Sequence, residues 1–171
     1  EACLDRGATF RDITTEAACR AGVRQIKTIG WGGALCLPEE GARCSMITNQ
    51  EICHSAKERF NMTCRGWGGN NCLDPDATAH DITEEIPCSA ARTTLGIQVI
   101  GWGGSRCLQP GDGCGDVVDK YICQHARGLL SMRCWWTEDG RCSDRSPNPW
   151  GPKGVVNAVQ DVQPLQAVNL T

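Results

Sequence analysis

Aromatic side chains other than tryptophan are nearly missing: one tyrosine and two phenylalanines stand beside six tryptophans in 171 residues. No apolar run approaches the ~20 residues of a bilayer-crossing helix, so a membrane span is not expected. A net charge of −3 offers no electrostatic case for nucleic acid or anionic lipid. No cysteine pair has the C-x2–4-C spacing of a zinc site; the nearest cysteines are seven positions apart, and His54, His80 and His125 are scattered. No metal or other cofactor is expected. Nucleophile motifs and phosphate loops are also lacking. Asp12, Asp81 and Glu84 sit beside predicted helix starts, where acids complement the dipole, so they are read as structural rather than catalytic. The chain is not expected to be an enzyme. It carries no charged-apolar-small leader and reads as a mature form beginning at Glu1.

What it has instead is cysteine, thirteen in all. That density without metal spacing points to a disulfide framework made in an oxidising compartment. Two glycosylation sequons, Asn61-Met62-Thr63 and Asn169-Leu170-Thr171, agree with a secreted, extracellular address. Asn61, at the end of a predicted helix, is the better acceptor.

The cysteines belong to an internal repeat. Ile29-Gly30-Trp31-Gly32-Gly33-Ala34-Leu35-Cys36-Leu37 recurs as Arg65 to Leu73 and as Ile100 to Leu108, with a degraded copy from Trp135 to Cys142. Between these blocks lie Ile13-Thr14 before Cys19, Ile47-Thr48 before Cys53, Ile82-Thr83 before Cys88 and Val117-Val118 before Cys123. Four repeats follow, 3–35, 36–71, 72–106 and 107–142, grouped as two pairs, 3–71 and 72–142, ahead of a tail over 143–171.

Every repeat has a start cysteine and a middle cysteine. Only the even repeats add a second pair, Cys44 with Cys64 and Cys114 with Cys134; the odd repeats have Phe10 with Thr28 and Ala79 with Val99 at those places. Joint presence and joint loss predict the bonds Cys44–Cys64 and Cys114–Cys134. For the rest, each start could bond its own middle, leaving Cys142 over, or each middle could bond the next start, leaving Cys3 unpaired or intermolecular. The second frame is favoured: Cys19–Cys36, Cys53–Cys72, Cys88–Cys107 and Cys123–Cys142. It would staple each repeat to its neighbour, which units with little core need. Each bond closes a loop of about 17–20 residues, worth roughly 3 kcal/mol in the chain-entropy model.

Within a repeat, the middle cysteine is predicted to lie on a short helix. Small residues at +3 (Gly22, Ala56, Ala91, Ala126) and large apolar ones at +7 (Ile26, Phe60, Leu95, Leu130) share its helical face. Thr14, Thr48 and Thr83 suit its N-cap, with Thr48 and Glu51 as a capping box; in the fourth repeat Asp116 or Asp119 takes that role. The Gly-Gly pair that follows predicts a two-residue hairpin turn with Trp31 facing Ala34. The fold class is small disulfide-rich α+β: tandem repeats of a short helix and a β-hairpin, stacked into an extended array. In the tail, Val156, Val159, Val162, Leu165 and Val168 recur at every third position. That period predicts an extended segment that docks on the repeats or on a partner.

The Ile-Thr, four residues, Cys, two residues, Ala pattern resembles cysteine-rich tandem repeats of predicted secreted and surface proteins of unicellular algae and other protists. The resemblance implies an extracellular address. Gly22 and Val118 depart from it. Trp31, Trp67, Trp102 and Trp136 recur about every 35 residues and are the candidate contacts for a ligand or partner; the favoured alternative is that each indole covers a disulfide within its repeat. The reading that follows is a structural subunit of an extracellular glycoprotein fibre, coat or matrix. It would self-associate or bind another extracellular protein through its repeat surfaces and tail. A glycan-binding module using the tryptophan row is the alternative, and a secreted toxin or protease inhibitor the second.

Overall fold

The computed structural model describes residues 7–145. Cys3, the tail residues Val156, Val159, Val162, Leu165 and Val168, and the Asn169 sequon lie outside them. One order of elements appears four times: a 3-10 turn, a short helical stretch and a two-stranded antiparallel hairpin. The turns are Phe10–Asp12, Cys44–Met46, Ala79–Asp81 and Cys114–Asp116. The helices are α1 (Glu16–Ile26), α2 and α3 (Gln50–His54 and Ala56–Phe60), α4 (Glu85–Ala90, continued by a π turn over Ala91–Leu95), and α5 and α6 (Lys120–Gln124 and Ala126–Leu129). The hairpins pair β1 with β2 (Thr28–Trp31, Cys36–Pro38), β3 with β4 (Gly66–Trp67, Cys72–Leu73), β5 with β6 (Gly101–Trp102, Cys107–Leu108) and β7 with β8 (Trp135–Trp136, Cys142–Ser143). Among the described residues no helix is long and apolar enough to cross a membrane.

The helices start one residue later than the threonines indicated. Asn49 caps α2 by accepting from the Ile52 N–H at 3.0 Å, and Asp119 caps α5 by accepting from the Ile122 N–H at 2.9 Å. Thr15 accepts from the Ala18 N–H at the head of α1. Thr48 and Thr83 do something else: their backbone N–H groups donate to the carbonyls of Gly32 and Gly68 in the preceding hairpin, at 2.8 Å each. Val118 makes the same bond to Gly103 without a hydroxyl, so the backbone sets that position. At the far end every helical stretch stops on a left-handed residue, Lys27, Asn61, Gly96 or Ser131, the usual way to turn a chain out of a helix.

The hairpin loop is also longer than a two-residue turn. Trp31 pairs with Cys36, Trp67 with Cys72 and Trp102 with Cys107, leaving four residues between. The Gly32 N–H donates to the Leu35 carbonyl at 2.8 Å across it. Gly33 is glycine for a different reason. It has a φ of +119°, and a Cβ there would lie 2.8 Å from the Thr48 hydroxyl and 2.9 Å from Asn49. The next helix start sits directly on this loop.

Six disulfides cross-link the chain: Cys19–Cys36, Cys44–Cys64, Cys53–Cys72, Cys88–Cys107, Cys114–Cys134 and Cys123–Cys142. These are the pairs of the favoured frame plus the even-repeat pairs. Their Cα atoms stand 5.4–5.8 Å apart, within the usual span. Counted by turn, helix and hairpin rather than by the boundaries 3–35, 36–71, 72–106 and 107–142, the frame bonds fall within units. Each ties a helix to the hairpin that follows it, inside one buried cluster: Cys19 with Cys36, Cys53 with Cys72, Cys88 with Cys107, Cys123 with Cys142.

Neighbouring units are joined by packing. Adjacent residues of a strand point to opposite faces. Cys36 is therefore buried in one cluster and Leu37 in the next, and Cys72 with Leu73 and Cys107 with Leu108 divide likewise. On the same hairpins the next unit's +7 side chain packs over a glycine: Phe60 over Gly30, Leu95 over Gly66, Leu130 over Gly101. Leu130 is buried and Phe60 and Leu95 are half-buried, so each contributes up to roughly 1.5–3 kcal/mol, against the ~3 kcal/mol of one loop closure. The fourth hairpin differs at both positions, with Trp135 in the glycine's place and half-buried Ser143 in the leucine's.

Candidate functional site

The four repeated tryptophans stand on equivalent strands, each opposite a disulfide cysteine. All are half-buried. Trp67 packs on the cluster holding Cys53 and Cys72, Trp102 on that of Cys88 and Cys107, and Trp136 on that of Cys123 and Cys142; Trp31 touches two clusters. Each indole thus covers crosslinked core. Trp67 additionally lines an open cleft of about 470 Å³ between the second hairpin and α4.

Helix α2 contributes Gln50 and His54 to this cleft, the hairpin contributes Arg65, Gly66 and Trp67, and the third unit contributes Glu84, Ile86 and Pro87. Ile86 is 81% exposed and adds apolar surface beside Trp67 and Pro87 in the same cleft. Arg65 replaces an isoleucine found at the same place in the first and third hairpins. Its guanidinium donates to four backbone carbonyls: Leu95 at 2.8 Å, Gly96 at 3.0 Å, Ala77 at 3.0 Å and Pro75 at 3.3 Å. It locks the hairpin to the third unit and has no donor pair left for a ligand. Glu84 holds the N-cap position of α4 yet makes no capping bond, unlike Asn49 and Asp119.

The other polar candidates are spent on structure. Asp12 and Asp81 each accept from a threonine backbone N–H, of Thr9 and Thr78, at 2.7 Å. The Thr9 N–H and hydroxyl hold the Asp12 carboxyl below the ordinary range. A smaller hollow of about 160 Å³ is lined by Asp74, Asp76 and Asp81. Within it Asp74 already accepts from the Cys44 N–H at 2.8 Å and faces Arg43 at 3.5 Å. His80 donates to Asp112 at 2.7 Å across the boundary between the third and fourth units, and His125 stacks on Tyr121 with ring centres 4.1 Å apart. Among the described residues, no group of three or more His, Cys, Asp or Glu side chains is arranged to hold a metal ion. Asn61 is exposed at the end of α3 with φ 57°, its side-chain oxygen accepting from Lys57 at 2.9 Å, and Thr63 is exposed two residues on.

Sequence reasoning found Trp67 but not its neighbours. The one written signal was Glu84 in a column otherwise filled by the capping residues Thr15, Asn49 and Asp119. Comparison with known proteins finds no matching family model, no matching curated protein and no matching solved structure.

Proposed function

We propose that the chain is a structural subunit of an extracellular glycoprotein fibre, coat or matrix, its units stacked in tandem into an extended array. The observation that carries this reading is the shared hairpin. It buries a cysteine toward its own helix and a leucine toward the next unit, three times over. Units that share an interior in this way form long surfaces rather than enclosed sites.

Six disulfides support an oxidising, extracellular address. The exposed Asn61 and Thr63 support glycan attachment there. Contact with further copies or another extracellular protein is supported by the fourth unit, which leaves Val118, Tyr121 and Leu129 more than half exposed. Trp135 and Ser143 remove the glycine seat and the buried leucine from the fourth hairpin, so contacts are expected on the sides of the array rather than by docking another unit on that hairpin. Light scattering and negative-stain microscopy of the oxidised full-length protein test the reading. Assemblies that grow with concentration and weaken in Tyr121→Lys are expected; a monomer at every concentration would overturn it.

A further inference from the structure

Three comparable junctions join a hairpin to the following helix, and they treat their polar side chains differently. At the first, Glu16 and Arg20 pair at 2.7 Å and Asn49 caps α2. At the third, the Ser89 hydroxyl donates to the Ile86 carbonyl at 2.8 Å and Asp119 caps α5, while the exposed Glu85 carboxylate makes no hydrogen bond or ion pair with the described residues. At the second, the equivalent, solvent-exposed side chains of Gln50, His54 and Glu84 make no hydrogen bond or ion pair among the described residues, and all three line the Trp67 cleft, which no polar group at the other two junctions does. Leaving a cap unmade forgoes a stabilising bond at the helix start. Here it leaves a carboxylate at the rim of an apolar-floored groove.

The surfaces specify a ligand chemistry. Trp67, Ile86 and Pro87 form an apolar wall, suited to the flat C–H face of a pyranose. Gln50 both donates and accepts, Glu84 accepts, and His54 presents a ring nitrogen of each kind when neutral; hydroxyl groups match all of these. An anionic ligand is not favoured: Arg65 keeps its charge, but four of its five N–H donors are spent on backbone carbonyls, so it offers no bidentate contact, and Glu84 at the rim would repel an anion. The volume lies in the range of about 300–1,000 Å³ typical of small-ligand sites. We infer that the cleft between the second hairpin and α4 binds a neutral oligosaccharide, stacked on Trp67 and hydrogen-bonded by Gln50, His54 and Glu84.

Titration calorimetry of the oxidised full-length protein with cellotriose and with chitotriose tests this. Trp67→Ala would also open the core, so the informative variant is the exposed double substitution Gln50→Ala/Glu84→Ala. Binding of one trisaccharide is expected, weakened about tenfold or more by that variant and unchanged by Glu85→Ala/Ser89→Ala at the third junction. No heat with either sugar, equal loss in both variants, or preference for a sulfated oligosaccharide or an apolar peptide would overturn the proposal.

Discussion

Gly66 carries two constraints at once. Its φ of +137° is one that L side chains rarely adopt, and a Cβ there would strike Leu95 of the next unit. Gly66→Ala is expected to cost about 1–3 kcal/mol from backbone strain, with displacement of Leu95 added. Gly113→Ala, in open space at negative φ, should be nearly silent; urea unfolding of the oxidised protein compares them. Asp112 supplies a pH-dependent term at the last boundary. Burial alone would raise its carboxyl, but hydrogen bonds from His80 and the Gln109 N–H and the charges of His80 and Arg106 hold it below the ordinary range. A folded value below the unfolded one means stability that is present above the ordinary carboxylate pKa and is lost as pH falls through the folded value. Asp112→Asn should therefore lower the urea midpoint near neutrality, and the difference should shrink toward strong acid. The glycine was legible as part of a repeated block. Its reason was not, because the side chain it accommodates lies 29 positions away in the sequence.

At the scale of elements, helix positions were legible from the +3 and +7 spacing because packing enforces it: Ala56, Ala91 and Ala126 are all buried. Asp119 was found as a cap, but the threonine caps were placed one residue early; at Thr48 and Thr83 threonine's local preference was outweighed by a tertiary backbone bond to the preceding hairpin. The Gly-Gly loop was misjudged for the same kind of reason, since Gly33 answers to the next unit's Thr48 and Asn49 rather than to turn geometry. Asp119→Ala should cost about 1 kcal/mol, read in the same unfolding assay. Glu84→Asp, which shortens the side chain toward a normal cap, should raise stability by a fraction of that while lowering oligosaccharide affinity. The cleft itself was scarcely legible. It is assembled from two units, and its polar residues show their role only through the bonds they do not make.

For the whole molecule, the joint loss of cysteines made the even-repeat bonds readable. The odd third unit fills the same places with buried Ala79 and half-buried Val99, both on its core. Ala79→Cys/Val99→Cys is expected to close a seventh bond, seen as a two-hydrogen mass loss, and to stabilise by roughly 3 kcal/mol. The expected bonds lie within one buried cluster each, while the adjacent leucine enters the next, because strand alternation turns cysteine back and leucine forward, a distinction that spacing alone does not carry. The most direct test cleaves the non-reduced protein between Leu37 and Cys44, between Leu73 and Cys88 and between Leu108 and Cys114, then denatures it without reductant. Four separate fragments, with both cysteines of every bond described above in the same fragment, are the result this account requires; fragments held together by Cys36–Cys53, Cys72–Cys88 or Cys107–Cys123 would contradict it.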